Sequence, residues 1–246
     1  MYRGLSVATL IPCCNESNKI GKVVSRVFET NVCDHVLVID DGSSDASAAI
    51  AESYGATVLR HAEPQGVGAA LRSGMQALQN EYSVIVILAG NNKDEPQEIV
   101  RLLDPIAEGK AVFVQGSRFK KGGKAGGDMP LYRKIATRVH PFLFSVVAGA
   151  WVTDSTNGFR AFSSLLLRDP RIRLNQDWLS GYELEPYLYY QAVSLGYPWA
   201  EVPVTKIYPS KQEGYTKMRP WIDWWGILKP LFVLRLNSPS GDQKSY

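Results

Sequence analysis

The chain has 246 residues, more than the commonest domain size but within reach of one α/β domain with appendages, so a single core is the economical expectation. Its 45% hydrophobic and 21% charged residues, with 21 Gly and 14 Pro, exclude a disordered, collagenous or disulfide-stapled chain. A formal net charge of +3 gives no ground for a nucleic-acid partner, but it is unevenly spread: residues 111–140 carry seven basic side chains against Asp128 alone, and residues 206–235 carry six against Glu213 and Asp223, two zones that call for an anionic partner.

Leu5–Ile11 reads as a buried strand, because Arg3 is a thin basic flank and no small-residue cleavage pattern follows. Further strand candidates are Val36–Ile39, Thr57–Leu59, Val84–Leu88 and Val112–Val114. Amphipathic helices fill the gaps. Residues 18–28 repeat Ile20, Val23, Val24 and Val27, residues 45–54 open on Asp45 as a cap, and residues 67–78 are rich in helix formers. The alternation predicts an α/β fold, a mainly parallel sheet with helices on both faces. Ligands of such sheets bind beyond the carboxyl ends of the strands, so the loops after Ile11, Ile39 and Leu88 should converge on one site.

Residues 120–127, Lys-Lys-Gly-Gly-Lys-Ala-Gly-Gly, have neither periodicity nor apolar content and read as a mobile loop and candidate lid. An apolar helix around residues 135–150, a segment over 178–195 and a strand-like run over 199–204 follow. Cys13, Cys14 and Cys33 have neither zinc spacing nor a disulfide framework, which fits a reduced, cytoplasmic compartment. The longest uncharged stretch, Val139–Thr153, is shorter than the roughly 17–25 apolar residues that span a bilayer, so no transmembrane helix is expected. Residues 219–236 concentrate three tryptophans with aliphatic and basic neighbours, and either pack on the core or lie peripherally at a membrane interface. Residues 237–246 read as a disordered tail, which leaves residues 1–218 as the folded domain.

The first strand runs into Pro12-Cys13-Cys14-Asn15-Glu16, without the glycines of a dinucleotide-binding turn. Gly66-Val67-Gly68 is either a phosphate cradle or a tight helix start. Asp40 and Asp41 end the second strand as two adjacent carboxylates, suited to accept hydrogen bonds from a ribose or base, or merely to shape the turn with Asp45.

Taken together, residues 8–16, Val38-Ile39-Asp40-Asp41-Gly42-Ser43-Ser44-Asp45, Gly116-Ser117-Arg118 and Asp154-Ser155-Thr156-Asn157-Gly158-Phe159-Arg160 resemble the successive signatures of inverting family-2 glycosyltransferases of the GT-A fold. The resemblance runs from about residue 6 to 218 and is strongest to the dolichyl/polyprenyl-phosphate sugar synthases. It implies a UDP- or GDP-sugar donor and a lipid-phosphate or glycan acceptor. The first turn and the double-Asp loop, where Pro12, Asn15, Glu16, Asp40 and Asp41 stand, would hold the nucleoside, with contacts on Pro12, Glu16 and Asp41.

The chain departs from that pattern at the fourth strand, which continues Leu88-Ala89-Gly90-Asn91-Asn92-Lys93-Asp94-Glu95-Pro96. The family's Asp-x-Asp motif carries Mg²⁺ or Mn²⁺ there. Ala89 and Asn91 take its two acidic positions, so a metal on Asn91 and Asp94 is expected to be weakly held. Gly90, Asn91 and Lys93 face the donor diphosphate, and Lys93 would offset its charge directly. The alternative is a nucleotide-sugar-binding pseudoenzyme without turnover. Arg118, Lys120, Lys121, Lys124, Lys211 and Lys217 are further phosphate clamps by this reading. Asp154 would be the base or the acceptor-orienting carboxylate, and Arg160 would orient it, clamp phosphate or simply bridge to it. Glu183 is a weaker candidate, and His35, His61 and His140 read as structural.

Overall fold

The computed structural model describes residues 1–209 and 228–233. Nine strands, β1 (Val7–Cys13), β2 (His35–Asp40), β3 (Thr57–Arg60), β4 (Val84–Ile87), β5 (Phe113–Ser117), β6 (Lys124–Gly127), β7 (Arg160–Ser163), β8 (Trp199–Pro203) and β9 (Thr205–Tyr208), form two sheets among these residues. The larger has the order β3-β2-β1-β4-β7-β5-β8, and β6 pairs with β9 in the smaller. All pairs of the large sheet are parallel except those of β7, which runs antiparallel between β4 and β5. The expectation of a mainly parallel α/β sheet holds.

Strict alternation along the central strands separates two cores. Val7, Ile11, Val36, Val38, Val84 and Val86 enter one, whereas Ala8, Leu10, Leu37, Ile39, Ile85 and Ile87 enter the other. Both faces are therefore apolar, as a sheet covered on two sides requires. Helices α1 (Ser17–Phe28) and α4 (Ile99–Ala107) cover the first face with Ile20, Val23, Val24, Ile99, Leu102 and Leu103. The short α2 (Ser47–Ser53) packs beside α1 through Ala51. The second face is covered by α3 (Val67–Leu78) and α6 (Leu184–Ser194), with Phe144 from α5 (Leu131–Ala148). Gly74 lets α3 approach β1: a Cβ there would lie 2.1 Å from Leu10 Cδ1.

The structure departs from the expected lid, and two further features were not read from the sequence. Half of the presumed lid is strand β6, whose Lys124 N donates to Val204 O at 3.0 Å; its glycines let it lie against β9, and Gly127 has φ +78°, where a Cβ would lie 1.9 Å from Tyr208 O. Strand β7 is the Phe159-Arg160 motif continued, too short for a periodicity to be read. Helix α4 contains Pro105, and the N–H groups of Lys110 and Ala111 cap its carbonyl. Asp45 stands one residue ahead of the N-cap of α2. Its Oδ1 accepts from Ser47 N and its Oδ2 from Ser17 N, so one carboxylate serves the starts of two helices. Burial works against its charge, but these donors hold its pKa at about 2.

Of the aromatic C-terminal segment, residues 228–233 are described and helical. Leu231 is buried in the core of the second face, and Lys229 Nζ sits 5.7 Å from the centre of the Trp178 ring. This part packs on the core. The domain boundary at 218, the tail over 237–246, Lys211 and Lys217 lie outside the described residues. Among those described, no helix is long and apolar enough to cross a membrane.

Candidate active site

The loops beyond the carboxyl ends of β1, β2 and β4 meet, and with residues 155–160 and 181–186 they line a cavity of about 590 Å³, within the range of small-molecule and cofactor sites. Pro12, Glu16, Asp41, Gly90, Asn91, Lys93 and Arg160 of the expected residues reach its wall. Asn15, Asp40, Gly68, Asp94, Arg118 and Asp154 do not line it; each has a structural engagement, buried behind the wall for all but the exposed Asn15.

At the nucleoside end, Asp41 does both of the things left open by its sequence context. Its Oδ1 accepts from Gln65 N at 2.8 Å and lies 2.8 Å from His61 Nδ1, while Oδ2 accepts from Gly66 N at 2.8 Å. The carboxylate thus ties the β3–α3 loop to β2 while remaining on the cavity wall. Gly66 has φ +100°, and a Cβ there would meet Ser180 O at 2.5 Å, so no other residue suits this corner. His61 Nε2 contacts Ser73 Oγ at 3.0 Å and so braces Asp41 from α3. Asp40 is fully buried behind it, accepting from Ser43 N and ion-paired at 3.1 Å with Arg60. Asn15, at φ +51°, joins the first turn to the double-Asp loop by accepting from Ser44 N at 2.9 Å. Gly68 is no phosphate cradle: a Cβ there would stand 2.2 Å from Leu179 O, so the glycine permits close packing of α3 on the 179–181 backbone.

The β4 loop does not fit a divalent cation. Asn91 Oδ1, the oxygen that would ligate it, accepts from Lys93 N at 3.3 Å. Asp94 is buried, with Oδ1 accepting from Lys206 Nζ at 2.6 Å and Oδ2 unpartnered among the described residues. No group of three or more His, Cys, Asp or Glu among the described residues could hold a metal, whereas hard divalent ions need several oxygen ligands. Cations gather instead. Lys93, Arg133 and Lys206 all line the cavity. Lys93 Nζ lies 5.5 Å and Arg133 Cζ 5.3 Å from the centre of the Tyr208 ring. Lys206 Nζ also donates to Asn157 Oδ1 at 3.1 Å. Burial first, then the nearby Arg133 and Lys206, bring the Lys93 pKa down to about 7. The sequence named Lys93 but missed Arg133 and Lys206; the signal was there in the two basic zones, each of which sends a cation to the cavity among the described residues.

The 154–160 segment alternates between support and wall. Ser155, Thr156, Gly158 and Arg160 face the cavity. Asp154 is fully buried and held by Arg118, whose Nε and Nη2 donate to it at 2.7 Å each. Burial would raise the Asp154 carboxyl, but this guanidinium and the Arg118 and Thr156 amides keep it below its ordinary value. Arg118 also donates to Tyr208 and Thr156. The expected base and the expected clamp are therefore a structural pair. Arg160 does not bridge to Asp154. It donates to the Glu185 and Asn157 carbonyls, pairs with Glu185 at 3.3 Å, and keeps a buried Nε unpartnered among the described residues. Glu185, not Glu183, is the acid of this region on the cavity wall. His140 meets Ser155 Oγ at 2.7 Å and supports the wall from α5. The clamp candidate Lys120 donates to the Glu201 carbonyl, away from the cavity.

Residues 9–169 match the family model described as Glycosyl transferase family 2. Among relatives, polyprenol monophosphomannose synthase of Mycolicibacterium smegmatis is 29% identical over 85% of this chain and 79% of its own length. Dolichyl-phosphate hexose transferase of Haloferax volcanii is 30% identical over 87% of each chain. In fold the chain is similar to glucosyl-3-phosphoglycerate synthase from Mycobacterium tuberculosis, solved with Mn²⁺, UDP-glucose and phosphoglyceric acid, at TM-score 0.67 and 19% identity over 97% of this chain and 82% of that one. The α/β sheet is that of the GT-A glycosyltransferases, and the chain belongs to glycosyltransferase family 2.

Proposed function

We propose that this glycosyltransferase moves one sugar from a UDP- or GDP-sugar to a polyprenyl phosphate, with inversion at the anomeric carbon. The observation that carries the reading is the cavity at the carboxyl edge of the sheet, which joins an acidic nucleoside corner at Asp41 to a cationic wall at Lys93, Arg133, Arg160 and Lys206. A nucleotide sugar has that polarity, a neutral nucleoside at one end and a charged diphosphate at the other.

In the reaction, an acceptor phosphate oxygen attacks the anomeric carbon from the face opposite the diphosphate. The new carbon–oxygen bond forms as the old one breaks, and its electrons leave with the nucleoside diphosphate, whose growing charge the fixed cations stabilise. A phosphate acceptor is already ionised and needs no general base. The burial of Asp154 against Arg118 supports such an acceptor over a sugar hydroxyl, and the names of the relatives favour a polyprenyl phosphate.

Helix α5 supports work at a membrane surface. Leu131, Ile135, Val139, Phe142 and Val146 are exposed at spacings that set them along one side, with Arg133, Lys134 and Arg138 nearby, the pattern of a helix that rests in a lipid interface. The reading places the protein peripherally on the cytoplasmic side. It is tested by NMR of the product formed from an α-linked donor and a short polyprenyl phosphate: a β-linked sugar phosphate is expected, and a retained α-linkage would refute inversion.

A further inference from the structure

We infer that Lys93, Arg133 and Lys206 together seat the donor's diphosphate in place of a divalent cation, so that this chain grips a nucleoside diphosphate without metal. The inference rests on the donor proposed above, and it turns on the misfit between the β4 loop and a metal site.

Three separate elements supply the charges. Lys93 comes from the β4 loop, Arg133 from the first turn of α5 and Lys206 from β9, and all three reach one cavity. Their placement is built. Lys93 and Lys206 are only 6% and 7% exposed, which surface lysines are not. Ile207 N donates to Lys93 O at 2.8 Å, so β9 is pinned to the β4 loop and the two lysines are held side by side. An ammonium has three donors; Lys206 spends two on Asp94 Oδ1 and Asn157 Oδ1 and lines the cavity as well. Asp94 therefore acts as a positioning residue, orienting a cation by the same carboxylate that a metal would have used.

Like charges brought together under cover are unfavourable by themselves, as the lowered Lys93 pKa reflects. A diphosphate reverses that balance. It offers several anionic oxygens to cations fixed in advance, with no reorganisation needed when the leaving group gains charge. A bound Mg²⁺ or Mn²⁺ would have to enter beside these ammonium groups, with Asp94 Oδ1 already engaged by Lys206.

Calorimetry on the full chain tests this with UDP, GDP, UMP and GMP, in excess chelator and again with Mn²⁺. The matching diphosphate is expected to bind equally in both conditions. Lys93→Met should weaken it about tenfold while weakening the monophosphate less than about threefold, as loss of a charge-assisted contact to the outer phosphate implies. Arg133→Gln, on a less buried cation, should reproduce the same split. Binding that appears only with Mn²⁺, or Lys93→Met and Arg133→Gln variants that bind diphosphate as well as the parent, would overturn the inference and leave the donor reading intact. Absence of binding by all four nucleotides in both conditions would overturn the donor reading and the inference with it.

Discussion

Lys206 Nζ donates to Asp94 Oδ1 at 2.6 Å, and both residues are less than a tenth exposed. Removing one partner of such a buried pair strands the other, which typically costs about 3–5 kcal/mol, while replacing both by apolar groups of similar size is often near neutral. Lys206→Met alone should therefore lose about that much stability in urea unfolding, and Asp94→Leu with Lys206→Met should recover most of it. A single variant as stable as the parent would mean that the pair does not hold β9 to the β4 loop.

Lys93 should trade stability for binding. Its folded pKa of about 7 lies below the ordinary 10.5, so across that interval the unfolded chain carries a proton that the folded chain lacks. Stability therefore rises with pH through this window, and the penalty is fully present below about pH 7. Lys93→Met should be more stable than the parent at pH 6, by about 1–2 kcal/mol, with the advantage shrinking by pH 10. Melts that show the same difference at both pH values would contradict the buried-charge account.

For Asp154 the sign is opposite. Held below its ordinary pKa by Arg118, the carboxylate stabilises the fold above about pH 4 and loses that contribution as pH falls through its folded value. Asp154→Asn should cost about 3 kcal/mol or more at pH 7 and progressively less in acid. A variant that kept full stability at pH 7 but lost transfer would identify Asp154 as a base after all.

Asp41 faces both the cavity and the 65–66 backbone. Asp41→Ala should weaken nucleotide binding by about 1–3 kcal/mol in calorimetry and raise hydrogen exchange at Gln65 and Gly66. Unchanged affinity in a folded variant would remove Asp41 from the nucleoside site.

Strand β6 pairs with β9 through backbone hydrogen bonds of the chain itself, so amides over residues 124–127 that take part in the ladder should be protected from exchange whether or not a nucleotide sugar is added. Exchange there at unfolded rates, slowed only when a nucleotide sugar is added, would restore the lid expected from the glycines and lysines.

The large sheet was legible because β1, β2 and β4 alternate two apolar faces and their helices repeat at helical spacing. Strands β6 and β9 were not: Lys-Ala-Gly-Gly has no apolar face, and it becomes a strand only because its partner supplies the ladder. The cavity wall was legible in part, since Pro12, Glu16 and Asp41, named from the strand-end motifs, all line it. It was misread where a motif residue acts from behind the wall. Asp154 and Arg118 have the same polar chemistry as ligand-binding residues, and only burial separates the two roles; Asn15 is exposed and spends its side chain on the double-Asp loop. The two basic zones pointed to an anionic partner, but that Arg133 and Lys206, 73 residues apart, reach the same cavity is a tertiary fact that local pattern cannot reveal.

Transfer itself is the most direct measurement. The purified chain, UDP- and GDP-sugars labelled in the sugar, and a polyprenyl phosphate in detergent or vesicles should give label in the organic-extractable lipid, equal in amount to the nucleoside diphosphate released. Label that stays water-soluble with every donor, whether as intact nucleotide sugar or as free sugar, would contradict the account.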